Sequence, residues 1–181
     1  FVFGAVLLAD KAVRSEVGTI GLMYLQSLAI SSGIYASVQG TVKRMRPLTY
    51  QDYSKHTVDE YNELKDMDLR GNYNRNSFFG GHPVIPATTT FFVAKVYHDR
   101  HPGDNFQYVL WGFAGATTLY TASLRYIAGK HFPTDLITGV TVGVLSGVLV
   151  PEFHKKKPKE GGFSMIPLLG QYQGLAMNYS F

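Results

Sequence analysis

Residues 124–150 read LRYIAGKHFPTDLITGVTVGVLSGVLV. Pro133 divides the stretch. Proline suits the first position of a helix, where its missing N–H would have no intrahelical acceptor and its fixed φ is already helical. Asp135 then falls in the first helical turn, four residues after His131 and ten after Arg125. Beyond it come β-branched residues broken by Gly139, Gly143 and Gly147. The β-branched content would suit a strand. The length and the four-residue glycine spacing specify a helix whose one face closes on a neighbour, a packing role.

Outward from this segment, four stretches lack Asp, Glu, Lys and Arg: 17–42, 76–94, 105–124 and 136–151. The pattern predicts an all-α helical bundle over residues 1–153. It fits either membrane spans or buried helices, since a span needs about 20 predominantly apolar residues. The first stretch is diluted by Gln26, Ser27, Ser31, Ser32, Ser37 and Gln39. The last stops short at Pro151-Glu152, and 105–124 has the most comfortable length. Between Tyr50 and Asn76 runs a polar connection, with a short helix expected near Val58–Lys65 and carboxylates that read as solvated surface. His98 and His101, in the turn-like HDRHPGD, read as surface residues. After the basic run HKKKPK (154–159), residues 154–181 form a linker and tail ending GLAMNYSF, where Leu175, Met177, Tyr179 and Phe181 alternate as in a strand. One strand cannot close a barrel, so the tail is expected to pair within the domain or with a protein partner through 163–181.

The chain has 181 residues, enough for one domain with a core. It is 45% hydrophobic and only 17% charged, with a formal net charge of +4. Its mean hydropathy is -0.02. Mild basicity suits an anionic substrate or a membrane surface. No basic face interleaved with stacking aromatics points to nucleic acid. Without cysteine there are no disulfides, thiolate metal sites or cysteine nucleophiles. The chain begins at Phe1 rather than Met, which reads as a processed or truncated start.

Three short motifs carry chemistry: QGTVKRMRP (39–47), SFFGGH (77–82) and LRYIAGKHFPTD (124–135). In the third, a carboxylate beside His131 can fix the tautomer of the imidazole and leave its other nitrogen as a nucleophile. The helix N-terminus that follows favours a bound phosphate. In the first, Gln39, Lys43 and Arg46 fall on one helical face that ends at Pro47, either an anion-binding stripe or an ordinary solvated helix end. In the second, Gly80-Gly81 allows close backbone approach to an oxyanion beside His82, a proton-donor candidate.

Taken together, the three motifs resemble the type 2 phosphatidic acid phosphatase superfamily. Its pattern is a lysine, six residues and Arg-Pro; then Pro-Ser-Gly-His; then Ser-Arg, five residues, His, three residues and Asp. Arg46-Pro47, Gly81-His82, Arg125, His131 and Asp135 match at these spacings, and the resemblance runs from about Leu28 to Val150. It implies a helical bundle and phosphate hydrolysis without a metal or other cofactor. His131 would attack phosphorus, Asp135 would orient its imidazole, and His82 would protonate the leaving oxygen. Arg46, Arg125 and the Gly81 N–H would hold the phosphoryl oxygens. Gln39 stands at the lysine position, Phe79-Gly80 replaces Pro-Ser, and Leu124 replaces the serine before Arg125. Lys43, one turn from Gln39, is expected to substitute in part, and Gly80 to retain its N–H as a donor.

The resemblance implies a phosphate-bearing lipid or small-molecule substrate, membrane association and a bacterial-type cell envelope, periplasmic or membrane-associated. The altered Gln39 and Gly80 positions leave open a catalytically weak or inactive member serving as an envelope binding or assembly subunit. Vanadate haloperoxidases share the resemblance, but nothing in this sequence points to halide oxidation.

Overall fold

The computed structural model describes residues 14–50, 59, 75–155, 162–168 and 174–180. The polar connection, including the helix expected near Val58–Lys65, lies outside the described residues apart from Tyr50, Asp59, Arg75 and Asn76. Four long helices follow one another: α1 Val17–Val42, α2 Gly81–Arg100, α3 Phe106–Ile127 and α4 Pro133–Phe153. A short 3-10 turn, Pro47–Tyr50, follows α1. The fold is all-α, as the four charge-free stretches predict.

Local chemistry sets the helix ends. Pro133 occupies the first position of α4, and the Asp135 carboxylate reaches back to the Phe132 N–H at 2.9 Å, satisfying one of the unpaired donors of the first turn. At the end of α3, Gly129 takes φ +61°, the left-handed conformation that glycine adopts without a steric cost. This turn places His131 between the two helices.

The glycine face of α4 packs against α2. A Cβ at Gly143 would lie 2.6 Å from the Val84 carbonyl oxygen, and one at Gly147 would lie 2.6 Å from that of Thr88. At Gly139 it would lie 2.3 Å from the Gly80 oxygen. Only hydrogen fits at these positions, so α2 and α4 approach backbone to backbone. Farther along, Ile20, Met23, Phe92, Val93, Val96 and Val150 form a buried apolar cluster joining α1, α2 and α4. At that end Lys95, whose side chain is almost buried, bonds Asp99 at 2.7 Å and Glu152 at 2.5 Å.

Two readings of span length change. Helices α1 and α4 are long and apolar enough to cross a membrane, whereas 105–124 does not set α3 apart in this way. The chain continues helically through Pro151 to Phe153, so α4 is longer than its charge-free part. The serines that dilute α1 include Ser27 and Ser31, both fully buried and bonded to the carbonyls of Met23 and Leu28 on their own helix. Hydroxyls satisfied this way add little polarity to the outer surface. That surface carries Leu22, Leu25 and Ile30 on α1, and Ile137, Leu145 and Leu149 on α4, all exposed.

The tail pairs within the chain. Strand β1, Gly162–Leu168, runs antiparallel to β2, Gly174–Ser180, with Met165 opposite Met177. The alternating residues mark β2. Its partner was not legible because β1 does not alternate and contains Pro167, which a two-stranded sheet tolerates at an edge.

Candidate active site

One end of the bundle collects the candidate residues from four places. Arg46 follows α1, His82 is the second residue of α2, Arg125 is in the last turn of α3, and His131 and Asp135 flank the start of α4. Arg46, His131 and Asp135 are buried, and His82 is exposed.

His131 Nδ1 contacts the backbone oxygen of Ser77 at 2.7 Å. A carbonyl can only accept, so Nδ1 carries the proton and Nε2 keeps its lone pair. The direct partner of the imidazole is therefore Ser77, where the resemblance implied Asp135. The carboxylate is occupied elsewhere: Oδ2 accepts from the Ser77 hydroxyl at 2.5 Å and from the Phe132 N–H, and Oδ1 accepts from Arg44 at 2.6 Å.

Burial holds the His131 imidazole below the ordinary histidine pKa. The Arg46 and His82 charges add to this, against the Ser77 hydrogen bond and the Asp135 charge. His82 is lowered too, by partial loss of hydration first and then by the charges of Arg125 and Arg46. These couplings place both arginines in the electrostatic neighbourhood of His82, and Arg46 in that of His131 as well.

Three expectations at the rim are corrected. Helix α1 stops at Val42, not Arg46, and Lys43 is a left-handed C-cap with φ 46°. The Gln39, Lys43 and Arg46 stripe is thus broken, and the Lys43 side chain is exposed. A residue preceding proline avoids the α region, and residues 43–46 are non-helical. Besides the buried Arg46, Arg44 also turns toward the site and lies 4.3 Å over the Phe132 ring. Gln39 donates to the Tyr35 hydroxyl at 2.6 Å and, at 3.5 Å, to the Asn76 carbonyl, so its amide is committed to these neighbours. The Gly80 N–H donates to the Asp135 carbonyl at 2.9 Å and is not a spare donor for an oxyanion. Gly81 opens α2, among the amides that lack intrahelical acceptors. Tyr35, which the motifs do not include, covers it: a Cβ on Gly81 would lie 2.5 Å from the tyrosine ring.

The model of the PAP2 superfamily, that is, the type 2 phosphatidic acid phosphatases, matches residues 20–159. The chain belongs to this superfamily. No curated protein and no solved structure matches the chain. PAP2 membership supports hydrolysis of a phosphate ester, and the match covers the four helices from Ile20 onward and every candidate site residue. Within this PAP2 chain, sequence reading missed Ser77, Arg44 and Tyr35 around the candidate site. Ser77 contributes a backbone oxygen that no side-chain pattern announces. Arg44 is one of three cations in KRMR, and only the backbone turn at Lys43 selects it.

Proposed function

We propose that this PAP2 protein is a metal-independent phosphatase, acting on a phosphate ester or diphosphate through a phosphohistidine at His131, with a lipid phosphate as favoured substrate. The observation that carries the reading is the buried His131, held with Nδ1 protonated and Nε2 available beside Arg46 and His82. In the first step the Nε2 lone pair attacks phosphorus and the bond to the leaving oxygen breaks, that oxygen taking a proton from His82. In the second, water attacks phosphorus as the P–Nε2 bond breaks, and His82 accepts the water proton. Arg46, Arg125 and the Gly81 amide meet the charge on the phosphoryl oxygens. The exposed apolar faces of α1 and α4 support membrane association, and a bacterial-type envelope location goes with it.

A second reading draws on Gln39 and Gly80, whose donors are engaged within the protein. A member with a weakened site would serve as an envelope binding or assembly subunit, with the outer edges of the tail hairpin, which pair with no third strand among the described residues, as the contact for a partner. Phosphate release by the purified protein over lipid phosphates, isoprenoid diphosphates and soluble esters separates the two. The phosphatase reading requires release that His131→Ala abolishes. Equal rates in both proteins would leave the subunit reading, which predicts co-purification lost on removing 163–181.

A further inference from the structure

Ser77 is completely buried and is bonded at three of its atoms. Its N–H donates to the Arg44 carbonyl at 3.0 Å, its hydroxyl donates to Asp135 Oδ2, and its carbonyl accepts from His131 Nδ1. Arg44 closes the ring from the other side. Its Nη1 lies 2.6 Å from Asp135 Oδ1 and 2.9 Å from Thr134 Oγ1. The two carboxylate oxygens are thus held by two residues that are themselves joined through their backbones. The imidazole hangs from the peptide of one of them.

We propose that Ser77 and Arg44 are positioning residues for the His131 nucleophile. Asp135 acts on the imidazole through Ser77, and Arg44 fixes the carboxylate. The inference rests on the phosphatase reading for its kinetic consequence but not for its geometry. Its chemical logic lies in the acceptor. A carboxylate bonded directly to Nδ1 can draw off the proton, whereas a peptide carbonyl cannot, so the Nδ1–H tautomer persists as Nε2 is phosphorylated. Gln39 leaves no lysine at the family position, and Arg44 is committed to Asp135 rather than to the phosphate. Its contribution is therefore to orientation and not to substrate affinity. A residue that served only to hold the loop would change stability without changing the imidazole.

The test uses the full chain with Ser77→Ala, Arg44→Gln and Arg44→Lys. It measures kcat and KM for phosphate release, and the His131 imidazole titration by 15N-detected NMR. Arg46, His82 and Asp135, whose charges act on His131, and the backbone carbonyl of residue 77 are retained in these variants. We expect Ser77→Ala and Arg44→Gln to lower kcat by about 10–100-fold with KM unchanged within about threefold, and Arg44→Lys to recover part of the loss. In Arg44→Gln the Asp135 charge loses its counterion, so the His131 pKa rises. Wild-type kcat with an unmoved His131 titration in Arg44→Gln would overturn the proposal. Should Ser77→Ala fail to fold, the partly exposed Arg44 still decides it. Should the wild-type chain release no phosphate, the phosphatase reading fails, and the His131 titration in Arg44→Gln alone upholds or overturns the positioning claim.

Discussion

Gly139→Ala should disable the protein from a position that bears no functional group. The added Cβ would lie 2.3 Å from the Gly80 carbonyl oxygen, where ordinary contact begins near 3.4 Å, so the backbones must part by 1.1 Å. The obstacle is backbone on both sides, and no side-chain rotation relieves it. Overpacking of this kind costs about 1–3 kcal/mol, offset in part by the roughly 1 kcal/mol that alanine gains over glycine in a helix. Activity should suffer more than stability. Gly80 precedes Gly81 and His82, and its N–H is bonded to the Asp135 carbonyl. Parting α2 from α4 therefore moves His82 away from His131, the donor and nucleophile of the proposed mechanism. A displacement of about 1 Å at a reacting centre costs on the order of 100-fold. Phosphate-release kinetics read the first effect, and thermal unfolding reads the second. Gly112→Ala on α3 is the control. Its Cβ meets nothing within 4 Å, and turnover should be unchanged. A Gly139→Ala protein with wild-type turnover and melting temperature would refute the backbone-contact argument.

Three further outcomes follow from the site. In the proposed mechanism neutral His131 attacks while protonated His82 donates, and both pKa values are lowered. As pH rises past the lowered pKa of His82 the acid is lost, so kcat/KM should peak below pH 6.5 and fall toward pH 8. A flat profile from pH 5 to 8 would contradict these roles. Asp135→Asn places an amide donor among the Ser77, Phe132 and Arg44 donors, and should lower stability by about 2–4 kcal/mol in urea unfolding, with kcat falling as well. Gly80→Ser adds a Cβ whose nearest neighbour is the end of the Leu136 side chain at 3.0 Å, which can rotate away. The gained hydroxyl should raise kcat by about 3–10-fold, and a loss of activity would show that the pocket wall cannot yield.

How much of this was legible in the sequence depended on which atoms do the work. The third motif was readable because proline, an acidic N3 residue and a glycine face act through local rules: Pro133 does begin α4, and Gly139, Gly143 and Gly147 do close on α2. The first motif misled because a helical face was extended to Arg46, past the point at which Lys43 adopts left-handed dihedrals. A one-residue change of conformation there turns Arg44 inward and Lys43 outward. Ser77 was hidden because its contact with the imidazole is made by backbone. The polar residues of α1 counted against a span in the sequence, yet Ser27 and Ser31 are turned to the interior and satisfied on their own helix.

Helices α2 and α4 are fastened at both extremities. Near the site the Gly80 N–H holds the Asp135 carbonyl, and some four turns away Lys95 holds Glu152. Two rods pinned at both ends and touching along their length cannot scissor. The segment that carries Arg46 is tied to the same frame, because Arg44 bonds Asp135 and its carbonyl accepts from the Ser77 N–H. The spacing between His82 and the start of α4 is thus set by backbone contacts rather than by side-chain rotamers.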